Sequence, residues 1–174
     1  MTLESTPTRY GTTAIALHWT SAAAVLVLLA SGVAAANAVD GPPPGLILTH
    51  AALGVLALVL TLVRIVWWLM FDRRPQPAEM PGWQKTMASA VHGLLYLSLL
   101  VMGASGIATL ALSGAVPALL SGAPLPDLSE LVPRAVHGLV SKLLLVLLVA
   151  HIGAAIYHQL VMRDHLLARM GVGR

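Results

Sequence analysis

The sequence contains no cysteine. That excludes disulfides, cysteine-ligated zinc, iron–sulfur clusters and covalent c-type haem attachment. Charge is scarce as well. Only 10% of the 174 residues are Asp, Glu, Lys or Arg, against about 25% in a soluble domain. Too little polar surface remains for the chain to face water all round. The formal net charge of +3 is too small and too dispersed for a nucleic-acid-binding protein. What the chain has instead is apolar: 57% of its residues are hydrophobic and its mean hydropathy is positive. It falls in the membrane class.

Four apolar runs exceed the roughly 20 residues needed to cross a hydrocarbon core. They are, approximately, Thr13–Ala38, Leu46–Phe71, Lys85–Leu112 and Val132–Met162. Their excess length implies tilt or protrusion. Ala36-Asn37-Ala38 resembles a signal-peptide cleavage site, but the apolar stretch before it is too long and Glu4 offsets the single Arg9. The first run is therefore expected to stay as a span. Short connections make successive spans antiparallel, so the expected fold is an all-α, up-down-up-down four-helix membrane bundle, with residues 1–174 as one domain. Pro42-Pro43-Pro44 and Pro75-Gln76-Pro77 read as turn punctuation. The stretch Ala115–Leu120 reads equally as a short surface helix or as an irregular apolar loop. No internal repeat stands out.

The few charges report topology. Asp40 stands alone in the first connection, whereas Arg73, Arg74 and Lys85 flank the second. Asp127, Glu130 and one Arg134 occupy the third, and Arg163, Arg169 and Arg174 the tail. By the positive-inside rule both termini and the second connection are cytoplasmic. The first and third connections then face outward across a bacterial inner membrane.

The seven histidines are the chemistry. His137 and His151 lie fourteen residues apart in the fourth run. That is roughly 21 Å of helix, with the two side chains within about 40° of one face. His50, near the outer end of the second run, is level with His137. His18, near the inner end of the first, is about level with His151. One imidazole inside a span is ordinarily an interhelical hydrogen bond, worth only about 0.6–2 kcal/mol. Two pairs at two depths suit two haem irons; zinc or copper held by His alone at both levels is less economical. Gly54, Ser141 and Ala155, each four residues after one of these histidines, leave room beside them or simply pack helices closely. His92 lies at the depth of His18 and competes for the inner iron. His158 continues the stripe toward the interface, where a haem propionate or quinone would meet it, and His165 is expected in solvent. Arg64, fourteen residues after His50, sits at the inner level, either to pair a propionate or to snorkel beside Trp67 and Trp68. Lys142, five residues after His137, either snorkels or draws anions toward the outer haem.

These pieces resemble the short, four-helix, two-haem bacterial cytochromes b561. The resemblance runs through Ile15-Ala16-Leu17-His18-Trp19, His50-Ala51-Ala52-Leu53-Gly54 and Leu62-Val63-Arg64-Ile65-Val66-Trp67. It continues in His92-Gly93-Leu94-Leu95-Tyr96, the pair His137 and His151, Tyr157-His158, Arg163-Asp164 and Arg169-Met170. Order and spacing together carry it, over nearly the whole chain. It implies two haem b groups ligated from the first, second and fourth spans, and electron exchange with ubiquinone. That favours His18 with His151 and His50 with His137 as axial iron ligands, leaving His92 and His158 beside the haems. Relatives often have His-His where this chain has Tyr157-His158, so no role needing an imidazole carries over to position 157.

Among such proteins the stand-alone ones resemble superoxide oxidase, which takes electrons from superoxide outside and reduces ubiquinone. Larger relatives anchor hydrogenases and formate dehydrogenases. At 174 residues, with four spans, the chain leans to the stand-alone kind. The resemblance thus implies a superoxide:ubiquinone oxidoreductase. No residue beyond the haem irons need act chemically, Lys142 serves as the anion-steering candidate, and His158 or His92 serves as a proton relay. The competing expectation is a non-catalytic electron conduit or membrane anchor for a periplasmic redox protein or membrane dehydrogenase.

Overall fold

A computed structural model describes residues 2–39, 41–76 and 80–173. Asp40, Pro77 and Arg174, used above for topology and turns, lie outside them. The chain forms four long helices: α1 (Thr12–Ala36), α2 (Pro44–Val66), α3 (Gly82–Ser113) and α5 (Val132–Tyr157). A short helix, α4 (Val116–Ser121), follows α3, so the third connection is partly helical rather than irregular. Proline sits in the first turn of α2, α4 and α5, where the missing N–H would have no partner anyway. Gly114 ends α3 in the left-handed region at φ 65°, a conformation most side chains resist. All four long helices are long and apolar enough to span a membrane, and they alternate in direction as expected.

The helices pack chiefly as α1 on α2 and α3 on α5, with α2 on α3 joining the two hairpins. The buried positions are mostly small: Ala14, Ser21, Ala57, Thr61, Ser98, Ser105 and Thr109. Large apolar side chains such as Leu62, Leu139, Val146 and Val149 point outward. That distribution inverts a soluble core and suits lipid, where close approach of helices takes the place of the hydrophobic effect. The buried hydroxyls return to their own helices, with Ser21 donating to Leu17 O at 2.6 Å and Thr61 to Ala57 O at 2.7 Å.

Helices α2 and α5 both end in a π-helical turn, Trp67–Phe71 and His158–Met162. An aspartate closes each turn. Asp72 accepts from Trp67 Nε1 at 3.1 Å, and Asp164 pairs with His158 Nδ1 at 2.5 Å.

The segments before α1 and after α5, from Thr2 and as far as Gly173, lie at this end of the bundle, and hydrogen bonds tie them there. Ser5 donates to Asp72 from its N–H (3.0 Å) and from its hydroxyl (2.7 Å). Arg169 donates to Thr8 O (3.0 Å) and Gln76 O (2.6 Å), and Tyr10 N–H returns a bond to Arg169 O. Trp19 Nε1 donates to Met170 O at 3.0 Å. The leader folds so tightly that a side chain at Gly11 would strike Leu3 O and lie 2.5 Å from the Glu4 carbonyl carbon.

Asp72 is the acidic hub of this clasp. Partial burial pushes its carboxyl up, but hydrogen bonds from Ser5, Trp67 and Arg73 outweigh that and hold it below its ordinary value. A carboxyl held low in the fold contributes stability above about pH 4, its usual unfolded value, and loses it as pH falls through the folded value. The leader should therefore open in acid. Asp72→Asn should open it already at neutral pH, seen as faster tryptic cleavage after Arg9, and should remove the acid step. Equal cleavage of wild type and variant would show that Asp72 does not hold the leader.

Candidate functional site

The structure brings four of the expected histidines together as two pairs. His50 of α2 and His137 of α5 have ring centroids 6.2 Å apart, near the end away from the termini. His18 of α1 and His151 of α5 are also 6.2 Å apart, at the level nearer the termini. All four are half-buried, and α5 supplies one member of each pair.

In the outer pair both ring protons are accounted for. Ser31 of α1 donates its only hydroxyl proton to Leu28 O at 3.1 Å, so at 2.8 Å from His50 Nδ1 its oxygen accepts. His137 Nδ1 lies 3.2 Å from both Met102 O and Ser105 Oγ of α3, and a carbonyl can only accept. Each imidazole thus carries its proton on Nδ1 and leaves Nε2 with a lone pair. Nothing in composition or hydropathy marks Ser31 and Ser105. Their one sequence signal is a Ser-Gly dipeptide thirteen residues after His18 in α1 and again after His92 in α3.

The inner level gathers more groups. Arg64 of α2 lies with Nη2 3.3 Å from His18 Nδ1 and with its guanidinium 5.3 Å from the centre of the Tyr96 ring. Arg64 therefore turns into the bundle rather than away to the interface. His92 of α3 donates from Nδ1 to Ala88 O at 2.6 Å and stands edge-on to His151 with centroids 5.1 Å apart. His158 is buried against Asp164, while His165 is exposed. Gly54 packs against Leu28 of α1, so it serves helix contact.

The two outer cations differ in direction. Lys142 is exposed and lies about 140° around α5 from His137, on the other side from the histidine stripe. Arg134, one turn before His137, folds its guanidinium along α5, with Nη1 3.3 Å from where a side chain on Gly138 would begin.

The donor set fits haem. Two nitrogens each about 2 Å from one metal, in rings centred about 1 Å behind them, put the centroids about 6 Å apart. Both 6.2 Å pairs match that span; the 5.1 Å separation of His92 and His151 is too short for it. Among the described residues no group of three or more His, Asp or Glu forms an all-protein cage. Paired imidazoles suffice when a porphyrin supplies the remaining ligands. A four-helix membrane bundle with imidazole pairs at two depths defines the class of intramembrane electron carriers.

Comparison with known proteins narrows the class. A model of the prokaryotic cytochrome b561 family matches residues 9–173. Cytochrome b561 homolog 1 of Escherichia coli (strain K12) is 27% identical over 170 residues, covering 93% of this chain and 96% of that protein. Cytochrome b561 homolog 2 of the same organism is 29% identical over 187 residues, covering 98% and 95%. Cytochrome b562 of Cereibacter sphaeroides is 31% identical over 162 residues, covering 90% of each chain. No solved structure matches. The chain belongs to the prokaryotic cytochrome b561 family. It is a membrane electron-transfer protein, and membership implies a b-type haem.

Proposed function

We propose that the protein binds two haem b groups, one between His50 and His137 and one between His18 and His151, and carries electrons from superoxide to ubiquinone. The observation that carries the reading is the equal 6.2 Å separation of the two pairs. Bound haem iron supplies reversible one-electron chemistry. The protein's task is to hold, tune and expose it. Two superoxide ions give up one electron each and leave as dioxygen; ubiquinone gains two electrons and two protons to become the quinol.

At the inner level His18 would hold iron through Nε2 and carry its ring proton on Nδ1. Arg64, a donor only, would then lose that acceptor and would pair with an anion such as a haem propionate. His92, with its ring centroid 5.1 Å from that of His151, is a second relay candidate beside the inner ligands. His158, whose Nδ1 donates to Asp164, keeps an Nε2 lone pair that takes up a proton and passes it on to quinone at the terminal end, so it serves as a relay. At the outer level Arg134 and Lys142 supply positive potential that speeds encounter with a small anion. The Lys and Arg bias of the loops supports an inner-membrane protein with both termini cytoplasmic.

Three measurements test this. A pyridine haemochrome assay on fully loaded protein should count two haems per chain. His50→Ala and His137→Ala should each lose the same haem, and His18→Ala and His151→Ala the other. A count of one, or loss of the inner haem in His92→Ala but not in His18→Ala, overturns the assignment.

Purified protein should be reduced by superoxide without another protein present. Lys142→Gln and Arg134→Gln should slow that reduction by up to about tenfold at low salt and flatten its dependence on ionic strength, with haem content kept. A wild-type rate and salt profile in Lys142→Gln means that Lys142 only snorkels. Failure of superoxide to reduce either haem means a conduit for a separate redox protein.

A C-terminal alkaline phosphatase fusion should be inactive and a fluorescent-protein fusion bright. The reverse pattern exchanges the two sides of the membrane.

A further inference from the structure

The two hairpins of the bundle repeat one another in spacing, although their sequences show no overall likeness. In α1 the steps run His18, then Ser31-Gly32 thirteen residues on; in α3 they run His92, then Ser105-Gly106 at the same interval. In α2 the step is His50 to Arg64, and in α5 it is His137 to His151, fourteen residues in each case. The pairing of helices follows the same division, α1 on α2 and α3 on α5. Contacts repeat too. Ser31 meets His50 as Ser105 meets His137. His18 touches Arg64 as His92 touches His151.

The Ser-Gly dipeptides form equivalent cradles at the outer level. A Cβ placed on Gly32 would lie 3.5 Å from His50 Cε1, and one on Gly106 would lie 3.4 Å from His137 Cε1. The edge of each ring is therefore seated on a backbone with no side chain. Ser31 accepts from the Nδ1–H of His50, and Ser105 shares the Nδ1–H of His137 with Met102 O; each serine donates its own hydroxyl to a carbonyl one turn back, Leu28 O or Met102 O. Each ring is thus held by its edge and by one nitrogen, from a helix other than its own. No charged group takes part in either bond.

We propose that Ser31 and Ser105 are positioning residues that fix His50 and His137 as Nδ1–H tautomers, aim both Nε2 atoms at one iron, and set the potential of the outer haem apart from that of the inner. The inference rests on the reading that His50 and His137 hold a haem. Donation from Nδ1–H makes an imidazole a stronger base toward metal and favours ferric iron. Both ligands of the outer haem carry that bond. At the inner level, by contrast, the neighbour of His18 is a guanidinium, which cannot accept.

The test is a spectrally resolved redox titration of the holoprotein, with electron paramagnetic resonance of its oxidised form. His50→Ala first identifies which haem is the outer one. Ser31→Ala and Ser105→Ala should each shift the outer midpoint upward and alter the outer low-spin signal. The double variant should shift it further, with the inner haem unmoved. Ser31→Thr and Ser105→Thr keep the hydroxyl and should restore the wild-type midpoint. If an alanine variant sheds the outer haem, its return in the threonine variant supports the role, and its absence there overturns it. An unmoved outer midpoint and signal in the double variant, or a shift confined to the inner haem, also overturns it. A haem count of one, or His50→Ala retaining both haems, would sink the two-haem reading itself, whatever the serines do.

Discussion

An imidazole inside a bilayer has two nitrogens to satisfy and no water to satisfy them. This constraint organises the bundle. One nitrogen must go to a neighbouring helix, which fixes where that helix lies; the other is then free for a ligand. His50 and His137 meet the condition from Nδ1, through Ser31 and through Ser105 with Met102 O respectively, while His92 turns its Nδ1 back to Ala88 O of its own helix. Small residues along the interfaces allow the helices to come close enough for these bonds. Without Ser31, the His50 ring would leave a polar atom unpaired in hydrocarbon, at a cost of about 1–3 kcal/mol, whereas His137 shares its Nδ1 bond between Ser105 and Met102 O.

The inner level obeys the same constraint with different partners. Arg64 occupies in α2 the step that His151 occupies in α5. The two hairpins are therefore alike at the outer level and unlike at the inner. A strictly repeated inner level would carry four histidines and no cation. Replacing one of them by a guanidinium places a positive charge in direct contact with a histidine at the inner level. Such a charge favours the reduced, less positive state of a nearby redox group.

Much of this was legible before any coordinates. Four spans followed from length and apolarity, and their ends moved by at most three residues. His137 and His151 were visibly on one stripe, and the level of His50 followed from antiparallel connections. What could not be read was which neighbour takes each Nδ1. Ser31 and Ser105 are ordinary residues in an apolar helix, and hydrogen bonds between helices depend on rotations that hydropathy does not encode. The repeat stayed hidden for a related reason. It survives only at the steps that face the interior, while the lipid-facing residues between them need only be apolar. The clasp at the terminal end was equally invisible, because its acceptors are mostly backbone carbonyls. The direction of Lys142, in contrast, follows from helix geometry alone: five residues carry it past the face of His137.

Both 6.2 Å histidine pairs draw one partner from α5, the last of the four long helices in chain order. Neither pair can exist while only the first three spans are in the membrane. Until then His18 and His50 have no counterpart, and Arg169 cannot yet tie the tail to Thr8 and Gln76. In the proposed two-haem reading, a chain made only as far as α3 offers single imidazoles, and the addition of α5 completes both pairs at once. Any product that stops short of α5 therefore lacks both pairs rather than one.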